Sequence, residues 1–212
     1  MNYKYEKKKG LIYNSLLFFK LNLVYNLTIL VACIILGSLT NDIYRALFTG
    51  ILLYFWAYFI HVLAHKLPSY INPHKYHHMH HINDKWWAIL IELLVNLFGS
   101  GGLSLLLINV LLEKKMKIKI LNNYTLLYTA LLYSTFHMIN YHYLNVSTHN
   151  FHHEFTKFNY GPDIIDILFN TKINNDEIEN MNHGILNSVV ILMIILLVYD
   201  SKYDLVKIIN NI

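Results

Sequence analysis

The sequence has little cysteine and little charge. Cys33 is the one cysteine among 212 residues, which excludes an internal disulfide and a zinc or iron-sulfur site built from cysteine thiolates. Any metal must therefore be held by histidine or carboxylate. Charged residues make up 14% of the chain and hydrophobic residues 55%, which is more apolar than an ordinary soluble domain. We therefore expect a membrane protein.

The chain also lacks the extended basic surface of a nucleic-acid-binding protein. Its formal net charge of +4 comes from short clusters such as "KYEKKK" (residues 4–9) and "EKKMKIK" (residues 113–119). Clusters of this kind fit anionic lipid headgroups better than a nucleic acid. We expect no nucleic-acid partner.

Five apolar segments interrupt the polar parts of the chain. Residues 11–37 and 43–63 are each long enough to cross a bilayer, which takes about 20 residues per helix. Residues 86–112 are broken by "GSGG" and form either one kinked span or two half-length pieces. Residues 124–143 make a further span, while residues 185–199 are short and either lie in the interface or cross with tilt. The fold class that we predict is all-α, an integral membrane helical bundle of about four spans.

The segments predict a single membrane domain over residues 1–212. Its parts are a first helical hairpin at 11–63, a first histidine region at 61–85, a second hairpin at 86–143, a second histidine region at 137–171, and a C-terminal tail at 172–212 with an apolar segment. Each hairpin returns its histidines to the same side of the membrane. The positive-inside rule places "KYEKKK", and with it both histidine regions, on the cytosolic face. "EKKMKIK" then falls on the far side, against the rule.

Twelve of the thirteen histidines lie in two windows, 61–81 and 137–153. Positions three or four apart share one face of a helix. The histidines therefore form one pair and two H-x-x-H-H triplets: His61 with His65; His74, His77 and His78; and His149, His152 and His153.

The remaining histidines fit these groups less directly. His142 lies almost two helical turns before the second triplet and joins its face if the helix is continuous. His137 is five residues from His142 and fits that face only if a π-bulge intervenes. His80 and His81 could replace a member of the first triplet. His183 stands alone, and an isolated histidine is usually structural or solvated.

The grouping of the histidines indicates metal binding. Neutral imidazole is the commonest metal ligand, and grouped imidazoles repel one another once protonated. Ten ligands are too many for one ion, whereas about five per ion fit a pair of first-row metals with open positions. The alternative is that these residues belong to an amphipathic interface or a solvated loop.

Two stretches resemble the histidine boxes of the fatty acid hydroxylase and sterol desaturase superfamily. They are "HVLAHKLPSYINPHKYHH" (residues 61–78) and "HNFHHEFTKFNYGPDIIDILFNT" (residues 149–171), and the resemblance covers roughly residues 55–171. There are departures near the end of the second stretch. Ile165 replaces a usual tryptophan, Asn170 replaces the glycine before Thr171, and the spacing from Gly161 to Asp166 is about two residues shorter. These departures concern the substrate cover and not the metal site.

The resemblance implies a ligand set for a non-haem di-iron centre, and the centre itself would be the catalytic group. The implied ligands are His61, His65, His74, His77, His78, His149, His152 and His153, with His137 and His142 as candidates from a third box and His81 as a less favoured one. The resemblance also implies that Asn159, Tyr160 and Asp166 support the ligands. The alternative for these three is a structural turn that caps a helix.

The implied activity is O2-dependent attack on an unactivated C–H bond of a lipid, either a fatty acid or a sterol. Hydroxylation, desaturation and ether cleavage all remain open. Because the chain has no dinucleotide, flavin or haem motif, electrons would come from a separate carrier such as cytochrome b5 or a ferredoxin. Lys66, Lys75 and Lys157 could meet an acidic carrier or lipid headgroups. The resemblance places a eukaryotic member in the endoplasmic reticulum.

A metal transporter or metal-storage protein is the rival class, because it could use the same histidines. Such a protein needs ligands at mid-membrane depth along a pathway. Here the histidines lie near the ends of spans, and the apolar segments carry little beyond Asn22, Asn26, Glu92 and Asn96 to line a pathway.

Overall fold

A computed structural model describes residues 10–68, 70–79, 82, 85–144, 146–173 and 177–211, without the side chains of Tyr141, Ser147, His149 and Asn150. All regular secondary structure in these residues is helical. The α-helices are α1 Leu11–Leu21, α2 Leu23–Leu39, α3 Ile43–Lys66, α4 Trp86–Val95, α5 Leu103–Met116, α6 Asn123–Met138, α7 Ser147–Glu154, α8 Asp163–Phe169, α9 Ile185–Val198 and α10 Leu205–Asn211. Short 3-10 helices cover Pro73–Tyr76 and Met181–Gly184, and π-helices cover Asn96–Ser100 and Ile139–Tyr143.

Two helical segments are long and apolar enough to cross a bilayer, namely α3 and the combined segment Met181–Val198. Two bent pairs would each qualify as one further span: α1 with α2, bent by 73°, and Trp86–Ser100 with α5, bent by 43°. The described chain therefore has two to four candidate spans by length and composition. The set differs in part from our expectation. Residues 124–143 are not in it, whereas the C-terminal apolar segment qualifies once the 3-10 turn before it is included.

Helix α6 lies at the centre of the bundle, and this explains its more polar sequence. It contacts α2, α3, α5 and α9 and is buried along most of its length. Its polar side chains bond to these neighbours: Tyr128 Oη lies 2.5 Å from Ser188 Oγ of α9, and Tyr124 donates to Asp204 over 2.6 Å. A buried polar group needs such a partner. The central position thus allows polar residues that a lipid-facing helix could not carry.

The "GSGG" stretch is the point at which the third apolar segment bends. Helix α4 continues into the π-helix Asn96–Ser100, and α5 begins after Gly102, whose φ is +91°. The indole N–H of Trp56 donates to the carbonyl of Gly99 over 2.8 Å and ties this bend to α3. A Cβ atom on Gly101 would lie 2.9 Å from the Cα and the carbonyl oxygen of Ala130 in α6. The bend therefore requires a residue without a side chain at the closest approach to α6.

We expect Gly101→Ala to destabilise the bundle, because the new methyl group would press on backbone atoms of α6 and on the carbonyl oxygen of Asn96 at 2.8 Å. Overpacking of this kind costs about 1–3 kcal/mol. The thermal unfolding midpoint in detergent should fall by about 2–4 °C for each kcal/mol lost. Gly99→Ala is the matched control, since its Cβ would meet a flexible side-chain atom, Ile60 Cγ2, at 3.4 Å. Equal midpoints for the two variants would contradict this account of the bend.

Candidate metal centre

Five imidazoles from three separate segments meet at one point. His61 and His65 come from the end of α3, His74 and His78 lie in and just after the first 3-10 helix, and His152 comes from α7. Their Nε2 atoms form a chain of short contacts, 2.9 Å from His152 to His65, 3.3 Å from His65 to His61, 3.1 Å from His61 to His74 and 3.0 Å from His74 to His78. Each ring offers one nitrogen that lies within 4.8 Å of the other four. We call these five residues the first histidine group.

Backbone carbonyls determine how two of these rings are protonated. His61 Nδ1 lies 2.6 Å from the carbonyl oxygen of Tyr160, and His152 Nδ1 lies 2.6 Å from that of Phe158. A carbonyl oxygen only accepts, so each Nδ1 carries the hydrogen and each Nε2 presents a lone pair to the group.

Converging lone pairs repel unless a cation lies between them, and the distances fit such an ion. Two adjacent ligands, each about 2.1 Å from one metal ion, are themselves about 3.0 Å apart at a right angle. The observed separations of 2.9–3.3 Å match that value. The donor set therefore fits a first-row metal ion with at least one open position.

The burial of these rings keeps them in the form that binds metal. Desolvation, together with the neighbouring imidazoles, lowers the pKa values of His74 and His78 well below their ordinary range. Burial lowers the pKa of His152 to about 3, although the Phe158 carbonyl raises it in part. The rings are therefore neutral at pH 7, and protons compete little with a metal ion.

A second group surrounds the carboxylate of Glu92 on α4. Its Oε2 lies 2.9 Å from His77 Nδ1 and 3.2 Å from His142 Nε2, and its Oε1 lies 2.7 Å from His137 Nδ1. The other ring nitrogen of His77, Nε2, lies 3.0 Å from His153 Nε2. We call these five residues the second group.

The two groups are neighbours. The ring centroids of His78 and His153 are 4.4 Å apart, and those of His77 and His78 are 5.4 Å apart. Adjacent residues of each H-x-x-H-H triplet therefore belong to different groups. This arrangement fits a pair of metal ions in close proximity.

The structure brings together nine of the histidines that the sequence indicated, five in the first group and four in the second. The side chain of His149, as well as His80 and His81, lies outside the described residues. His183 lies elsewhere. It stacks on Phe136, with ring centroids 5.1 Å apart, and contacts the side-chain oxygen of Asn140.

Glu92 is the site residue that the sequence reasoning missed, because we considered it only as part of a possible transport pathway. Its position in the sequence could have identified it, since an acidic residue inside an apolar, membrane-spanning segment is costly and usually functional. The π-helix Ile139–Tyr143 supplies the irregularity that His137 needed. It lets His137 and His142, five residues apart, reach the same carboxylate.

The three residues expected to support the ligands form a tight loop behind the first group. Asp166 accepts from the backbone N–H of Tyr160 over 3.1 Å, from that of Gly161 over 2.5 Å and from the Thr171 hydroxyl over 2.6 Å. Asn159 donates to the carbonyl of Thr148 over 3.2 Å. This loop carries the Phe158 and Tyr160 carbonyls that orient His152 and His61.

One departure from the superfamily has a structural explanation in the same region. Asn170 ends α8 with a φ of 57°, in the left-handed region that favours glycine. Asparagine tolerates this conformation better than most residues. The backbone shape expected from a glycine is therefore retained.

A cavity of ≈110 Å³ opens beside His137 of the second group. His137 and Tyr160 form part of its wall, and the apolar side chains of Ile29, Leu53 and Leu132 form another part. The cavity thus connects the histidine site to the apolar interior of the bundle.

We expect His152→Ala to lower the amount of bound metal, because His152 is fully buried and contributes one nitrogen of the first group. His153→Ala should act in the same direction through the second group. His183→Ala is the control and should leave the metal content unchanged, since its ring contacts Phe136 and Asn140 instead. Metal analysis of the three purified variants measures this. An equal loss of metal in His183→Ala would show that the histidines were sorted wrongly.

The metal-free chain should lose stability as the pH falls from about 7.5 to 5. The unfolded chain protonates its histidines near pH 6.5, whereas the folded chain does not protonate His74, His78 and His152 until lower pH. Stability is therefore lost below about pH 6.5. Burial acts in the opposite sense on two carboxyls, since it raises the pKa of Asp166 to about 6 and also raises that of Glu179.

These three imidazoles alone outnumber the two carboxyls, so the expected net loss is at least about 1 kcal/mol per pH unit between pH 6.5 and 5. Thermal unfolding of chelator-treated protein in detergent measures it. A midpoint that stays constant or rises towards pH 5 would contradict the protonation states assigned above.

Comparison with known proteins places the chain in a family. A family model described as fatty acid hydroxylase matches residues 46–171. This range contains both histidine regions and Glu92, and it agrees with the resemblance found at residues 55–171. No curated protein and no solved structure gave a significant match. The family model covers more than half of the 212 residues, and the chain therefore belongs to the fatty acid hydroxylase family.

Proposed function

We propose that this chain is a membrane-bound di-iron oxygenase that hydroxylates or desaturates a C–H bond of a lipid. It would use O2 and electrons from a separate carrier. The observation that carries this proposal is the convergence of the two adjacent groups, five imidazoles in one and four imidazoles with Glu92 in the other. Membership of a family of lipid-oxidising enzymes supports the same conclusion.

The donor set suits iron. Imidazole nitrogen with a carboxylate nearby is a ligand environment typical of non-haem iron, and incomplete coordination leaves room for O2. Two iron ions held there would supply the activation of O2 and the attack on an unactivated C–H bond. The Tyr160 and Phe158 carbonyls accept from His61 and His152 on one side, and Glu92 contacts His77, His137 and His142 on the other.

The cavity supports a lipid substrate. Its apolar wall would hold part of an acyl chain or of a sterol against His137 and Tyr160, since its ≈110 Å³ is smaller than the roughly 300 Å³ of a pocket for a whole small molecule. Asp163, also in the wall, is paired with the buried Lys172 over 2.6 Å, so it does not present an uncompensated charge to the chain of a lipid.

The proposal includes an arrangement in the membrane. We place the protein as a multi-pass membrane enzyme with the histidine site at the cytosolic face, in the endoplasmic reticulum if the source is eukaryotic. Lys66 and Lys157 are exposed and Lys75 is half-buried. These residues lie close in sequence to histidines of the site. They offer a basic surface for an acidic electron carrier such as cytochrome b5 or a ferredoxin, or for lipid headgroups.

The test is a single-turnover reaction under labelled oxygen. Iron-loaded protein in lipid nanodiscs, chemically reduced and exposed to 18O2 with a total lipid extract, should yield a lipid that carries one 18O atom if it hydroxylates. A lipid with two hydrogens fewer and no label indicates desaturation. Mass spectrometry of the extracted lipids measures both products, and protein carrying His152→Ala serves as the inactive control.

Unchanged lipids from protein that holds its iron pair would contradict the proposal. Ion flux into proteoliposomes made from the same preparation would then support the metal-transport alternative. A labelled aldehyde from an ether lipid would instead keep the oxygenase class and change the substrate.

A further inference from the structure

Glu92 is a buried acid whose neighbours are imidazoles. Its side chain is 2% exposed, and within the described residues its ion-pair contacts are with His77, His137 and His142. These three partners come from the loop after the first 3-10 helix, from α6 and from the second π-helix. One carboxylate therefore joins a loop that precedes it in the sequence to one continuous helical stretch that follows it. A buried carboxylate is costly unless partners compensate it, and here the three imidazoles are those partners.

The two nitrogens of His77 face different partners. Nδ1 lies 2.9 Å from Glu92, and Nε2 lies 3.0 Å from the Nε2 of His153. The second distance equals the spacing of adjacent nitrogens in the first histidine group. Glu92, His77 and His137 also offer three atoms within 4.8 Å of one another that could hold an ion directly. If the ion instead lies between His77 and His153, it is on the Nε2 side, and the carboxylate would take the Nδ1 hydrogen on the opposite side. Carboxylates commonly hold metal-binding imidazoles in this way.

The first histidine group and the second group thus differ in the charge of the atoms that contact their imidazoles from behind. Neutral backbone carbonyls orient His61 and His152 in the first group. In the second group a carboxylate lies 2.9 Å from His77 Nδ1 and 2.7 Å from His137 Nδ1. An acceptor with a negative charge makes the bound imidazole a stronger donor to metal and attracts the cation over a short distance in a buried site.

We propose that Glu92 is the positioning residue of a second metal subsite, formed by the second group, and that binding of metal there depends on the negative charge of Glu92. Binding of metal at the first subsite, formed by the first histidine group, does not depend on that charge. The inference rests on the proposed di-metal function. It predicts that the two ions are bound by chemically different subsites and are lost separately. Removal of the charge at residue 92 should release the second ion and leave the first ion in place.

The test is metal binding by full-length Glu92→Gln in detergent, reconstituted anaerobically with Fe(II) and freed of loosely bound iron. Wild-type protein should retain about two irons and the variant about one. The affinity for the second ion should fall by about 10- to 100-fold, as is typical when a residue that orients a metal ligand is changed. After oxidation, electron paramagnetic resonance should show an isolated high-spin ferric ion in the variant in place of a coupled pair.

Two control variants separate the charge from the fold. Glu113→Gln removes a carboxylate on α5 whose contact is Asn123 at 3.4 Å, and it should retain both ions. Glu92→Asp keeps the charge on a shorter arm, so it should weaken the second ion less than Glu92→Gln does and leave the first ion unchanged. If Glu92→Gln does not fold, Glu92→Asp carries the test, and equal affinity changes at both subsites would overturn the inference.

Three further results would also overturn it. The first is a second-ion affinity in Glu92→Gln within threefold of wild type. The second is loss of both ions from a folded Glu92→Gln protein. The third is retention of two ions by His153→Ala while Glu92→Gln loses one, because Glu92 would then bind the ion directly on the Nδ1 side of His77.

Failure of the inference and failure of the proposed function can be told apart. Wild-type protein that never holds two irons contradicts the proposed function, and the inference falls with it. Wild-type protein with two irons and a labelled lipid product, together with an unaffected Glu92→Gln variant, contradicts the inference alone.

Discussion

The central constraint on this structure is the close approach of buried, neutral imidazoles. Their Nε2 atoms face one another at separations of 2.9–3.3 Å. Without a cation, converging lone pairs repel, and protonated rings would repel more strongly in a buried site. A group that accepts the other N–H of a ring fixes the direction of its lone pair. The carbonyls of Phe158 and Tyr160 do this for His152 and His61 in the first group, and the Glu92 carboxylate lies 2.9 Å from His77 Nδ1 in the second.

The rest of the bundle holds these two carbonyls and the Glu92 carboxylate in place. Asp166 holds the backbone of the loop that carries the Tyr160 carbonyl, and α4 places Glu92 beside the end of α6. The bend after α4 packs against α6 at Gly101, where no side chain fits. Polar contacts around α6 secure the central helix without exposing polar groups to lipid. Helix α6 therefore belongs both to the scaffold, through these contacts, and to the site, through His137.

Much of the site could be predicted because the histidine pattern is local. The spacing of His74, His77 and His78 indicated one ligand triplet, and the residues around Asn159 and Asp166 indicated the family. Local spacing could not reveal which triplet members share a group. His74 and His78 lie in the first group and His77 in the second, because the chain there forms a 3-10 helix and a turn, not a continuous α-helix. Helix α6 is not among the candidate spans by length and composition, and burial by neighbouring helices allows polar residues there.

Composition and motif spacing by themselves determined that the chain is apolar, helical and built around two histidine regions. These properties depend on residue type and on short-range periodicity, which are present in the linear sequence. Only the tertiary structure decided that Glu92 joins His77, His137 and His142, and that the cavity reaches His137 and Tyr160. Contacts of this kind join residues up to 50 positions apart. They follow from the packing of whole helices, which no local pattern specifies.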